Sequence, residues 1–349
     1  MSSGPNDNSL YRTRVKASVD RFVDIEWQSD LEAAHSLSQL KVDIAVDLMG
    51  LTQGSRTGIF AQRPAPLQVA YLGYPGTMGS RSYDYLIADR FVIPAEQQVN
   101  YAERIAYLPD TFQVNDLKRA IADQPRTRSA YGLPAEGFVF CCFNNSYKIT
   151  PFVFDVWMRL LKRVKGSVLW LLADSPLVDA NLKREAAARG VSPERLVFAP
   201  RLAYAEHLSR YGAADLFLDT LPFNAGATAS DALWAGLPIV TCVGSAYAAR
   251  MAGSLQRAIG LSEMITESME EYESLTYRLA TEPGLISVIR SKLGRNRSTH
   301  PLFNLKRFRR HIEEAYFAMW HRHLQGLEPT NISIPPCEAA GSPEVFRAN

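Results

Sequence analysis

Long apolar runs are missing from this sequence of 349 residues. None approaches the roughly 18 residues that a membrane-spanning helix needs, so a transmembrane segment is not expected. The N-terminus, Met1-Ser2-Ser3-Gly4-Pro5-Asn6-Asp7-Asn8, has neither a basic segment nor an apolar one and does not read as a secretory signal. Cysteine is scarce: Cys141, Cys142, Cys242 and Cys337 are the four present, none at C-x-x-C spacing. They read as buried free thiols acting as small hydrophobes, which fits a reducing cytoplasm, and no metal site is expected. Charge of one sign is missing too. A net charge of +2 gives no global reason to expect nucleic acid or an anionic membrane as partner. No internal repeat of the helical-pair type, about 34 residues long, is visible. What remains is an ordinary soluble globular composition, 47% apolar and 21% charged, in a chain too long for one average domain and comfortable for two.

The pattern along the chain is α/β. A polar, turn-rich opening leads to a helical stretch from about Ser29 to Leu40. Strands are expected at Val42–Met49, Leu67–Leu72, Tyr85–Ala88 and Arg104–Leu108. Between Gln113 and Arg128 the sequence turns polar and loses its periodicity, which is the expected lobe boundary. Beyond Tyr131 strands at Phe138–Phe143, Ser167–Leu172, Leu196–Ala199, Leu216–Leu218 and Ile239–Cys242 alternate with helices. One helix has Thr150 as N-cap and Pro151 as its first residue; another ends near Arg189 with Gly190 behind it. Such alternation predicts a parallel sheet covered on both faces, with ligands beyond the carboxyl ends of its strands. The last helix, about Leu305 to His323, carries Phe308, Ile312, Ala315, Tyr316 and Met319 on one stripe. Its Lys306, Arg307, Arg309 and Arg310 read as a solvated face. The tail from Leu327 lacks periodicity and is expected to be disordered.

Three stretches and one histidine carry candidate chemistry. In Leu218–Gly236 a strand ends, small residues follow, and a helix begins at or near Thr228. The unpartnered N–H groups of such a helix start suit a diphosphate, and Asp231 in the first turn could accept from ribose hydroxyls. The competing reading is that Thr228 caps the helix and Asp231 offsets its dipole. In Phe143–Thr150, Lys148 follows a buried strand, where an ammonium could neutralise a departing nucleoside diphosphate or simply be a solvated charge. In Arg63–Gly79, Gly76 and Gly79 flank Thr77 and either expose N–H groups to a sugar or form a rigid turn. His207, near Arg210, is the best-placed of six histidines, and a packed or capping role competes with catalysis.

Taken together, Arg63–Gly79, Phe143–Thr150, Ser167–Leu172, Asn224–Gly236 and Pro301–Asn304 resemble, in order, the catalytic region of the O-linked N-acetylglucosaminyltransferases, glycosyltransferase family 41, including its bacterial relatives. The resemblance runs from about Tyr11 to His323. It implies a GT-B fold of two Rossmann-like lobes facing a cleft: the remainder of the N-terminal catalytic lobe over 1–120, a C-terminal UDP-binding lobe with closing helices over 121–326, and the tail 327–349. It implies transfer of GlcNAc from UDP-GlcNAc to Ser or Thr of proteins, inverting and without a metal or cofactor.

By the same resemblance Lys148 is the candidate catalytic residue at the donor diphosphate, and Asn145 lies where the family often has Gln. Ala203, His207 and Arg210 fall in the uracil segment. Gly226 and Thr228 lie at the phosphates and Asp231 at the ribose; Gly73, Tyr74, Pro75 and Gly76 match the turn near the GlcNAc pocket. The family's animal members read Gly-His-Thr-Thr where this chain has Ala225-Gly226-Ala227-Thr228. A strand–loop segment of the form Ser-x-Asp-Phe, followed by a histidine and a helix, is expected upstream and is not in the sequence. The first lobe is therefore expected to be incomplete, and the chain to be either a fragment of a longer protein or an inactive paralogue that binds UDP at most. A related protein using another UDP-hexose is the third alternative.

Overall fold

The computed structural model describes residues 1–123 and 127–337. The chain divides into two compact units, one made of Met1–Arg90, Pro94–Phe112 and the stretch from Arg310 on, the other of Phe91–Ile93 and Gln113–Arg309.

The first unit holds α1 (Leu10–Ala17), α2 (Asp30–Gln39), β1 (Ile44–Asp47), α3 (Thr57–Ala61), β2 (Leu67–Ala70), β3 (Tyr85–Asp89) and β4 (Arg104–Leu108). α2 starts where the sequence places it because Ser29 and Glu32 form a reciprocal capping box. α1 lies in the polar opening that reads as turns. It buries no residue and is fixed locally, with Ser9 as its N-cap, so no apolar stripe announces it. The strands pair in parallel, Ile44 opposite Leu67, Val69 opposite Tyr85, and Tyr85 opposite Arg104. β2 and β3 are buried along their whole length, as strands covered on both faces must be.

The second unit holds β5 (Val139–Cys142), α4 (Pro151–Arg163), β6 (Val168–Leu172), α5 (Pro176–Ala188), β7 (Leu196–Ala199), α6 (Tyr204–Arg210), β8 (Leu216–Leu218), α7 (Ala227–Trp234), β9 (Ile239–Cys242), α8 (Met251–Ala258), β10 (Ile265–Thr266), α9 (Met269–Thr281) and α10 (Pro283–Thr299). Thr150 caps α4, and Pro151 sits where its missing N–H costs nothing. The sheet is wholly parallel, in the order β10-β9-β8-β5-β6-β7. From β5 the chain winds one way through β6 and β7, then returns to β8 on the other side of β5 and winds the opposite way. The carboxyl ends of β5 and β8 therefore form a topological switch point, the place where open α/β sheets bind their ligands.

The last helix, α11 (Leu305–Leu324), begins in the second unit and from Arg310 on belongs to the first. The stretch after it departs from expectation. Ile332–Ser333 forms β11, pairing in parallel with Ala106 and Tyr107 of β4. Asn331 Oδ1 accepts from the Ile105 N–H at 2.7 Å, the Ile334 N–H donates to the Tyr107 carbonyl at 3.0 Å, and Ile334 is buried. Two-residue strands carry too little pattern to read from sequence, and the tail's order comes from β4's open ladder. The remainder of the expected disordered tail, 338–349, lies outside the described residues. Along the chain the division between the units falls at Phe112/Gln113 and again within α11, between Arg309 and Arg310.

Candidate active site

At the switch point the loop after β8 is tied down by Asp219. Its Oδ1 accepts from the N–H groups of Thr220 (2.8 Å) and Ala225 (2.7 Å), and its Oδ2 from the Thr241 hydroxyl (2.6 Å). One carboxylate thus closes the loop 219–225 onto β9. The loop after β5 meets it through Asn144, whose amide donates to Thr220 Oγ1 at 2.8 Å and whose Oδ1 accepts from the Thr228 hydroxyl on α7. Lys148 projects from the same loop. Its Nζ donates to the Asn224 carbonyl at 2.9 Å and lies 3.7 Å from the centre of the Phe223 ring. Burial lowers the Lys148 pKa, and the Asp219 carboxylate partly restores it; burial also pushes Asp219 up, to about 6. Asn145 is exposed at the mouth of this loop.

The start of α7 differs from the sequence reading. Gly226, not Thr228, is the N-cap and gives no side-chain hydrogen bond, so the first N–H groups of the helix are not closed off by a capping side chain. Thr228 is the second helical residue, with its hydroxyl turned to Asn144 rather than back onto the helix. Asp231 lies beyond the first turn and does not act on the helix dipole. Its Oδ1 accepts from Arg119 Nη1 (2.8 Å) and from the Tyr204 hydroxyl (2.7 Å).

α6 supplies an aromatic and cationic cluster beside β5. The Arg210 guanidinium sits 4.3 Å from the centre of the Phe143 ring, 1% exposed, with Nη1 donating to the Pro200 carbonyl at 2.6 Å. Its Nε and Nη2 are buried without a hydrogen-bond partner, as are the Tyr211 hydroxyl and Trp170 Nε1. Unpaired buried guanidinium donors are costly, and the surrounding protein supplies no acceptor for these two. His207 packs on Phe143 and edge-on to Tyr211, with ring centroids at 5.7 and 5.2 Å. Burial, with the Arg210 cation second, lowers its pKa to about 4, so the ring is neutral at physiological pH. Ala203 is the exposed N-cap of α6.

Gly73, Tyr74, Pro75 and Gly76 belong to the first unit, in the turn after β2. A Cβ on Gly73 would lie 2.1 Å from the Leu48 carbonyl oxygen, so the backbone crossing behind β1 already requires glycine there. Glu103 braces the same turn, accepting from the Thr77 hydroxyl at 2.7 Å and from the Met78 N–H. The turn is thus structurally explained, whatever it also holds.

The sequence profile of glycosyl transferase family 41 matches residues 1–125 and 123–312, nearly the whole of this chain. The chain belongs to glycosyl transferase family 41. Among the family's curated proteins, a probable UDP-N-acetylglucosamine–peptide N-acetylglucosaminyltransferase of Arabidopsis thaliana is 38% identical over 94% of this chain and 34% of its own length. The UDP-N-acetylglucosamine–peptide N-acetylglucosaminyltransferase of Caenorhabditis elegans is 26% identical over 94% of this chain and 38% of its own. The chain thus spans about a third of the length of these relatives. A lysine-to-methionine mutant of the O-GlcNAc transferase of Thermobaculum terrenum matches with a TM-score of 0.83 at 31% identity, over 93% of this chain and 62% of the other. WaaG, a lipopolysaccharide glycosyltransferase 15% identical over 82% of this chain and 94% of its own, shares the fold with a TM-score of 0.51. Two parallel sheets flanked by helices are the α/β class of GT-B glycosyltransferases.

Of the residues that the family resemblance singles out, the second unit gathers Asn145, Lys148, Ala203, His207, Arg210, Gly226, Thr228 and Asp231 around the carboxyl ends of its strands. Sequence reasoning gave no role to Asp219, Asn144, Arg119 or Tyr204, which hold them. Asp219 and Asn144 carried a usable signal, a polar residue directly after a buried apolar strand. Arg119 carried none.

Proposed function

We propose that the chain forms a catalytic region that transfers GlcNAc from UDP-GlcNAc to Ser or Thr hydroxyls of proteins. The observation that carries this is the convergence, at the β5/β8 switch point, of the Lys148 ammonium with the uncapped start of α7. In this reading the acceptor hydroxyl attacks the anomeric carbon as its bond to the diphosphate breaks, inverting the centre. Charge grows on the leaving UDP, where Lys148 and the α7 N–H groups neutralise it without a metal or further cofactor. Arg210, with two unpaired donors, and Ala203 take the uracil; His207 lies against it as a neutral ring; Asp231 takes the ribose. Gly73 to Gly76 serve the sugar, and Asn145 lies beside the diphosphate. The acceptor's proton goes to the donor phosphate or to a base outside these residues. The partners of this reading are a UDP-sugar and a protein acceptor in the cytoplasm, with no nucleic acid and no membrane; among the described residues no helix is long and apolar enough to cross one.

The test pairs calorimetric UDP binding with transfer of radiolabelled GlcNAc to a protein acceptor. Lys148→Met is expected to lower turnover by about 100-fold or more while UDP still binds. A chain that folds but does not bind UDP sinks the reading. Turnover seen only when upstream sequence is added sinks the claim that these residues suffice, and a stronger thermal stabilisation by another UDP-hexose than by UDP-GlcNAc changes the sugar.

A further inference from the structure

Arg119 comes from the polar segment without periodicity that follows the first unit, yet its side chain is only 7% exposed. Nε and Nη1 are held, while Nη2 is buried without a hydrogen-bond partner. Nε donates to the Asp116 carbonyl at 2.9 Å; Nη1 donates to Ser230 Oγ at 3.0 Å and to Asp231 Oδ1 at 2.8 Å. The guanidinium lies over the rings of Trp234 and Phe303, at 5.1 and 5.7 Å from their centres, and Trp234 Nε1 donates to the Arg119 carbonyl at 3.2 Å. Ser230 donates in turn to Asn115 Oδ1, and the Asn115 amide donates to the Leu302 carbonyl at 3.0 Å. Tyr204, on the helix that carries His207 and Arg210, donates its hydroxyl to the same Asp231 Oδ1 at 2.7 Å.

A buried ion pair is a poor source of stability, because desolvation offsets most of the attraction. What this one does is fix a carboxylate. The Asp231 side chain is 11% exposed, and burial alone favours its protonated form, which would accept hydrogen bonds poorly. The Tyr204 hydroxyl and the Arg119 cation both oppose that upward shift. Because both hydrogen bonds fall on Oδ1, the other oxygen remains as acceptor.

Resting on the reading that Asp231 accepts from the nucleoside ribose, we propose that Arg119 and Tyr204 are positioning residues for that recognition: they hold Oδ1 so that Oδ2 meets the ribose hydroxyls, and selectivity for ribose depends on them as well as on Asp231.

The test is the ratio of affinities for UDP and for its 2′-deoxy and 3′-deoxy analogues, measured by calorimetry on the full chain. The unaltered protein is expected to prefer UDP over the weaker-binding analogue by about tenfold, the loss of one hydrogen bond to a charged acceptor. Asp231→Asn is expected to remove most of that preference. Tyr204→Phe, which deletes one hydroxyl and keeps the ring, and Arg119→Met are expected to reduce it at least about threefold. A merely structural role would weaken UDP and its analogues equally and leave the ratio unchanged. If Asp231→Asn erases the preference while Tyr204→Phe and Arg119→Met keep it, the positioning claim is overturned and the ribose reading stands. If Asp231→Asn keeps the preference, or the unaltered protein has none, both fall. Should Arg119→Met fail to fold, Tyr204→Phe decides.

Discussion

Lys148 and His207 both lose proton affinity through burial, with different consequences. For Lys148 the nearby Asp219 carboxylate opposes that loss, and the Asn224 carbonyl accepts from its ammonium. His207 has a cation as neighbour, and both influences oppose protonation. The sign of the pH effect follows. Unfolded, His207 takes up its proton near 6.5; folded, only near 4. Its contribution to stability is fully present above pH 6.5 and is lost as pH falls through 4. His207→Phe, which keeps an aromatic ring against Phe143 and Tyr211, removes that dependence. Between pH 6.5 and 4 the melting temperature of the variant is expected to fall less than that of the unaltered protein. Parallel curves would contradict the assignment. The comparison is made between proteins because Asp219, raised to about 6, acts in the opposite sense in both: its contribution is greatest below 3.8 and is lost as pH rises through 6.

At the scale of elements, the informative case is β11. Two residues have no strand propensity worth naming, and what orders them is the unpaired edge of β4 together with the burial of Ile334. Ile334→Ala is expected to destabilise the first unit by about 2–4 kcal/mol, measured by denaturant unfolding. A change under about 0.5 kcal/mol would mean that the tail contributes nothing to the core. α2 offers a contrast, since its capping box is local and visible in sequence. Ser29→Ala is expected to cost about 1 kcal/mol, with the loss read in the same experiment.

For the whole molecule, the division into two units makes a claim about where a nucleotide acts. The residues gathered around the switch point all lie in the second unit, so UDP near 100 times its dissociation constant is expected to raise stability by about 2.7 kcal/mol. Hydrogen exchange should locate the new protection at 143–150, 203–210 and 219–234. Protection spread evenly over both sheets, or confined to the first, would contradict a nucleotide site at the switch point.

The sequence by itself determined the elements with a strong local signal. β4, β7, β8 and β9 fall on their expected bounds because short apolar runs closed by turn residues have one reading when helices alternate with them. Thr150 and Pro151 likewise define the start of α4 with no tertiary help. The parallel sheet of the second unit followed from that alternation, and the expectation that ligands gather beyond its carboxyl ends followed from the sheet. Tertiary structure decided the rest. Strand order, hence the switch point between β5 and β8, depends on which neighbour each strand finds, and no local residue encodes that. That the Thr228 hydroxyl is held by Asn144 rather than capping its helix, and that Asp231 is held by Arg119 and Tyr204 rather than facing the dipole, depends on partners in other elements. Arg119 was illegible for the same reason: a lone arginine in a polar segment gains meaning only when folding brings Asp231, Ser230 and Trp234 around it.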